Sequence, residues 1–174
     1  MMISPRVVGI DPSLTGTGLA GAGWTVRLTP PKNLDGVRRM KWLRAATLDY
    51  LKGTDLVVVE GVSFMSNGAY AAESAGWHWV LRLALDTYGL AWVEVPPASV
   101  KKYAVGRGNA TKEDVLAAAI RRLPGFTAST TDEADAGWLR AMALDGLGYP
   151  QVVMPEAHRV ALAKIAWPEL AGVA

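Results

Sequence analysis

Four acidic residues stand at spacings that suit phosphodiester chemistry. Asp11 closes a short apolar run, Val7-Val8-Gly9-Ile10, and Glu60 closes a second, Leu56-Val57-Val58-Val59. The second run is continuous and β-branched, as a strand covered on both faces should be. Asp132 and Asp135 are three residues apart in a segment with helical patterning, so they share one helix face. The carboxyl edge of a sheet is where α/β proteins place their sites. Four carboxylates converging there would stay ionised only with cations among them, and oxygen donors without His or Cys suit Mg²⁺ or Mn²⁺. Two such ions about 4 Å apart would activate a water and stabilise a leaving 3′ oxygen. Each acid also has a plainer explanation. Asp11 before Pro12 is good turn chemistry, and acids in a first helical turn are favoured by the helix dipole.

The elements that must position these acids alternate. Val7–Ile10 and the segment from Thr15-Gly16-Thr17-Gly18 to Trp24 read as strand, turn, strand, and Thr25–Leu28 as a third strand stopped by Pro30-Pro31. An amphipathic helix is predicted over Asn33–Leu51, a strand over Leu56–Val59, a long helix over Ala69–Thr87 and a strand over Leu90–Val95 ended by Pro96-Pro97. A loop containing Gly106-Arg107-Gly108 then leads to Thr111. With Asp114, Thr111 forms a capping pattern for the next helix, and Thr130-Thr131 cap a helix from Asp132 to about Leu147. This order predicts an α/β fold, a mixed sheet of about five strands covered by helices. Beyond Pro150 a further helix is expected over Pro155–Ala166.

The 174 residues suit one globular domain. The chain has no Cys, which excludes disulfide scaffolds, Cys-ligated zinc and thiol nucleophiles. The longest uncharged run, Pro12–Val26, is shorter than the roughly 18–20 apolar residues of a membrane span. Met1–Arg6 leads into a strand-like segment, with no signal peptide expected. Net charge is only +2, but setting the four acids aside leaves 18 cationic side chains against 12 anionic ones. Acid at one spot and base elsewhere suits a polyanion bound around a metal centre.

Four motifs together resemble one family. Val8-Gly9-Ile10-Asp11-Pro12-Ser13-Leu14-Thr15-Gly16 is similar to the opening strand and turn of the RuvC-type Holliday-junction resolvases, members of the RNase H-like nuclease superfamily. Val57-Val58-Val59-Glu60 resembles their second acidic motif and Asp132-Glu133-Ala134-Asp135-Ala136 their closing Asp-x-x-Asp-Ala helix. Val100-Lys101-Lys102 through Val105-Gly106-Arg107-Gly108-Asn109-Ala110-Thr111-Lys112 resembles the family's basic segment. The likeness spans residues 5 to 148. The shorter interval from Asp11 to Glu60 and the unmatched tail depart from typical bacterial members and are like phage-encoded ones.

The resemblance implies an RNase H-like nuclease domain over residues 1–150. Residues 151–174 are then a C-terminal helical extension packed on it or on a dimer partner. It implies two Mg²⁺ ions, replaceable by Mn²⁺, on Asp11, Glu60, Asp132 and Asp135, with Asp11 bridging. Lys112 would serve catalysis at a phosphate, and Lys101 and Arg107 would contact DNA. Phe64-Met65 resembles the family's Phe-Met wedge, although one additional residue separates it from Glu60. A homodimer is implied, formed through the helix carrying Trp77, Trp79 and Leu83, acting on branched DNA in the cytoplasm of a bacterium or phage-infected cell without a small-molecule cofactor. The alternatives are a nuclease of the same fold acting on RNA or RNA/DNA hybrid, and a non-catalytic binder of branched DNA. An actin-type phosphate loop fits less well, because Pro12-Ser13 stands where that loop prefers Gly and the chain is half the usual length.

Overall fold

The computed structural model describes residues 4–62 and 69–170. Among the described residues, β1 (Val7–Asp11), β2 (Thr17–Gly21), β3 (Trp24–Leu28), β4 (Leu56–Glu60) and β5 (Trp92–Val95) form one sheet in the order β3-β2-β1-β4-β5. β2 runs antiparallel to both β1 and β3, whereas β4 is parallel to β1 and to β5. This is the mixed α/β sheet that the element order predicts.

Alternation of side chains along the strands divides the core in two. Val8 and Ile10 of β1 and Val57 and Val59 of β4 point to one face. There they meet Leu43 of α1 (Gly36–Asp49) and Trp77, Leu81 and Leu85 of α2 (Ala69–Thr87). Val7, Leu56 and Val58 point to the other, against α3 (Pro97–Val105), α4 (Lys112–Arg122) and α5 (Thr131–Gly146). β1 is buried along its whole length because it is flanked on both edges and covered on both faces.

Three elements differ from their sequence expectations, each for a local reason. The segment after Pro96 is a helix, α3, and not a loop. Pro97 occupies its first turn, where a missing N–H costs nothing, and Gly106 closes it in the left-handed conformation at φ 95°. The tail holds only a four-residue α6 (Glu156–Arg159) and a 3₁₀ turn, Leu162–Lys164, in place of one continuous helix over Pro155–Ala166. It curls because Met154, Ala161, Leu162 and Ile165 all turn into the core beneath α3 and α5. Trp77, expected at an interface, is fully buried and donates its indole N–H to Thr17 Oγ1 at 3.2 Å.

The tail is tied down by a buried polar knot. Asp145 accepts the Tyr103 hydroxyl at 2.9 Å and takes Arg159 bidentately, at 3.1 Å from Nε and 3.0 Å from Nη2. Burial of Tyr103, reinforced by Asp145, pushes its hydroxyl pKa up, so it remains a donor. No helix among the described residues is long and apolar enough to cross a membrane.

Candidate active site

Sheet parity and register bring the acids together. Ile10 pairs with Val59, so the next residues, Asp11 and Glu60, lie side by side at the carboxyl ends of β1 and β4. Residues 7, 9 and 11 and residues 56, 58 and 60 share the face that α5 covers. The helix reaches that face because two positions lack a side chain. A Cβ on Gly9 would stand 2.1 Å from the Ala136 carbonyl oxygen, and one on Gly18 would stand 2.1 Å from that of Asp132. This close seating delivers the first turns of α5, with Asp132 and Asp135, to Asp11. Thr130 fixes where the helix begins, its hydroxyl accepting the Glu133 N–H at 3.3 Å.

One carboxylate oxygen from each of Asp11, Glu60 and Asp135 lies within 4.8 Å of the others. Asp11 and Asp135 are only 5% and 4% exposed, and Glu60 is partly buried. Burial first, and the neighbouring Asp135 charge second, push Asp11 up to about 8. Burial and the Asp11 charge hold Glu60 well above its ordinary value, and burial lifts Asp135 to about 6. Three such groups cannot all be charged at neutral pH without a cation among them. Asp11 Oδ2 is buried with no hydrogen-bond partner among the described residues. An orphaned carboxylate oxygen in an all-oxygen donor set fits a hard divalent cation.

Asp132 is the fourth expected acid, but it stands at the rim of this triad. Its Oδ2 accepts Arg27 Nε at 2.7 Å, and its Oδ1 lies 3.8 Å from Lys112 Nζ. Lys112 Nζ is equally 3.8 Å from Asp135 Oδ2. Burial works to lower the Lys112 pKa, but Asp11, Asp135, Asp132 and Glu60 outweigh it, and the ammonium is held above its usual value. The capping box of Thr111 and Asp114 explains its position, since it starts α4 with Lys112 as the first helical residue.

The remaining expected residues separate. Lys101 lies close enough to Asp135 for its charge to act on that carboxylate. Arg107 instead binds Asp114 Oδ2 at 2.6 Å, beside the capping box. Phe64 and Met65 lie outside the described residues. Neither His is a ligand in this cluster. His78 is buried and lowered to about 4 by that burial and by Arg82, and His158 Nδ1 meets the Tyr103 carbonyl at 2.8 Å.

Sequence reasoning missed Arg27. The signal is the alternation in Trp24-Thr25-Val26-Arg27-Leu28, which puts Thr25 and Arg27 on one face of β3. That face is the one under α5, where Thr25 donates to Glu133 and Arg27 to Asp132. Gly16 leaves the space in which the Arg27 guanidinium lies.

No protein-family model matches the chain. It is 32% identical over 143 residues to the crossover junction endodeoxyribonuclease RuvC of Azorhizobium caulinodans, covering 75% of this chain and 84% of that protein. The protein of the same name from Maricaulis maris is 33% identical over 152 residues, covering 78% and 88%. That of Myxococcus xanthus is 36% identical over 115 residues, 66% of this chain and 59% of that protein. Among solved structures, Thermus thermophilus RuvC superposes with a TM-score of 0.65 at 21% identity, over 85% of this chain and 99% of that one. T. thermophilus RuvC in complex with Holliday junction substrate superposes with a TM-score of 0.66 at 20% identity, over 86% and 99%. With this sheet order, this acidic cluster and relatives of that identity along three quarters of its length, the chain belongs to the RuvC family.

Proposed function

We propose that the chain is a metal-dependent endonuclease that cuts four-way or otherwise branched DNA, breaking a P–O3′ bond to leave 5′-phosphate and 3′-hydroxyl ends. The observation that carries this reading is the gathering of Asp11, Glu60 and Asp135 oxygens within 4.8 Å at the carboxyl edge of the sheet, in a chain of this family. Asp11, Glu60 and Asp135 would hold one Mg²⁺, and Asp132 with Asp11 a second, with Mn²⁺ able to replace either. When bound, such ions would supply the positive charge that activates a water and stabilises the departing 3′ oxygen.

The chain's own groups set the geometry and the charge around that event. Lys112, kept protonated by the surrounding carboxylates, neutralises charge on the scissile or an adjacent phosphate. Lys101 takes a second phosphate, Arg107 contacts the DNA, and Phe64 is the wedge that stacks on bases near the junction centre. The described residues hold one such acidic cluster, which makes one cut, so paired cuts need a homodimer. The exposed Trp79 and Leu83 of α2 offer it an apolar face. Residues 1–150 are the nuclease domain and 151–174 its extension, acting in the cytoplasm of a bacterium or phage-infected host.

The test is cleavage of an end-labelled synthetic four-way junction with Mg²⁺ or Mn²⁺, beside linear duplex and an RNA/DNA hybrid. Paired nicks in the junction, lost in Asp11→Asn while binding persists, are the expected result. Cleavage of the hybrid alone would move the substrate to RNA, and binding without any cleavage would leave a branched-DNA binder.

A further inference from the structure

The tail and α3 enclose a cleft of about 230 Å³. Ser99, Lys102 and Gly108 line one side, and Val160, Ala161 and Lys164 the other. It is smaller than the roughly 300–1,000 Å³ of pockets that take whole drug-sized ligands, which suits a single small group. Its two charged side chains are both lysines, one on each wall, and no carboxylate lines it among the described residues. Of the acids beside it in the chain, Glu156 is taken by Arg159 at 3.5 Å, and Asp145 is enclosed by Arg159 and Tyr103.

The two walls are held at a fixed separation. The bidentate Arg159–Asp145 pair and the buried Ala161, Leu162 and Ile165 bind the tail to the core. His158 Nδ1 meets the Tyr103 carbonyl, and Gly106 has no room for a Cβ, which would stand 2.7 Å from His158 Nε2. Lys102 Nζ donates to the Gly106 carbonyl at 2.7 Å, so its ammonium is pinned beside the cleft with donors to spare. Lys164 is exposed and has no ion-pair partner among the described residues. The neighbour of Lys102 in the chain, Lys101, is the residue whose charge reaches Asp135. Successive residues of α3 thus send one cation toward the acidic cluster and the next to the cleft.

The geometry points to this cleft as a backbone-phosphate subsite for an arm of the bound DNA, with the tail's Lys164 and α3's Lys102 gripping one phosphodiester outside the reaction centre. It gives the tail beyond Pro150 a role in holding substrate. The inference rests on the DNA-endonuclease reading, and its test separates the two.

Binding of a fluorescent four-way junction to the full chain is measured in EDTA from 50 to 300 mM salt for wild type, Lys164→Ala, Lys164→Arg and Lys52→Ala. Lys52 lies in a remote turn, paired with Asp49. Each phosphate contact adds about 0.9 to the slope of log K against log salt. Lys164→Ala is expected to weaken binding about 3- to 10-fold at low salt and to flatten the slope by about 0.9. Lys164→Arg retains both values, and Lys52→Ala changes neither. Wild-type affinity and slope in Lys164→Ala would overturn the subsite while leaving the nuclease reading intact. A wild-type chain that binds no junction at any salt would overturn both.

Discussion

Arg27 Nε lies 2.7 Å from Asp132 Oδ2, across the rim of the acidic cluster. The guanidinium is also anchored by Thr29 Oγ1 at 3.0 Å and the Thr15 carbonyl at 3.4 Å. One protein cation therefore already sits on a carboxylate proposed for a second ion, and the two compete.

Arg27→Gln should relax that competition. Removing one positive charge beside a divalent site is expected to tighten the weaker of two Mn²⁺ binding steps, in the absence of DNA, by about tenfold, or ~1.4 kcal/mol. Calorimetric titration with Mn²⁺ reads this directly, and Arg27→Lys should restore wild-type affinity. Identical binding curves for all three proteins would show that Arg27 does not restrain Asp132.

The raised carboxyl pKa values set a pH signature for the metal-free protein. Asp11 titrates near 8 when folded against 3.8 unfolded, and Glu60 is also raised, so in that window the folded state binds more protons and stability falls as pH rises. Buried His78 acts oppositely between about 4 and 6.5, which leaves pH 6.5 to 8 as the clean interval. In EDTA the wild-type Tm should fall across that interval, while Asp11→Asn should show a shallower fall and a higher Tm at pH 8. Added Mg²⁺ competes with protons for the same oxygens, so its stabilisation should be larger at pH 8 than at pH 6.5. A stabilisation independent of pH would place the ion elsewhere.

Two glycine substitutions should move stability in opposite directions. Gly18→Ala drives a methyl to 2.1 Å from the backbone carbonyl of Asp132, which can yield only if α5 lifts from the sheet. A cost of about 1–3 kcal/mol is expected, a fall in Tm of roughly 3–10 °C for a chain of this size. Divalent-ion affinity should fall with it. Gly76→Ala in α2 meets only the terminal methyl of Met40 at 3.1 Å, which can swing aside, and should gain up to ~1 kcal/mol of helix propensity. Thermal melts with and without Mg²⁺ check both, and an unchanged Gly18→Ala protein would refute the close-seating account.

The strand ends were legible because they combine two independent signals, apolar β-branched runs and an acid at the end of each. Asp11 and Glu60 could be placed together at the carboxyl edge of the sheet on that basis, and the parallel pairing of β1 with β4 sets them side by side. The helix that carries Asp132 and Asp135 was legible from its cap and its spacing. Less visible was that only Asp135 of this pair would enter the triad, with Asp132 held at the rim by Arg27, a residue 16 positions beyond the first acid and on the far strand β3. Pro96-Pro97 misled because proline ends a strand and begins a helix by the same property, its missing N–H and fixed φ. The tail could not be read because its apolar residues follow no single period. They are spaced to meet a surface made by α3 and α5.

The outer face of α2 offers the last prediction. Trp79 and Leu83 are four residues apart, so they share one helix face, and they are 66% and 67% exposed. The Arg82 guanidinium carbon lies 5.0 Å from the centroid of the Trp79 ring, a cation–π contact that orients the indole. Two large apolar side chains held outward on a rigid helix suit a symmetric contact with a second copy. The variant Trp79→Asp with Leu83→Asp should sediment as a monomer at micromolar concentration, whereas wild type sediments as a dimer. Its acidic cluster is untouched, since Trp77, on the opposite side of the helix, still seals the core. Metal binding should therefore persist, and the junction should be nicked on one strand at a time instead of cut in pairs. A wild-type monomer would remove this face from the dimer account. So would a variant dimer that still makes paired cuts.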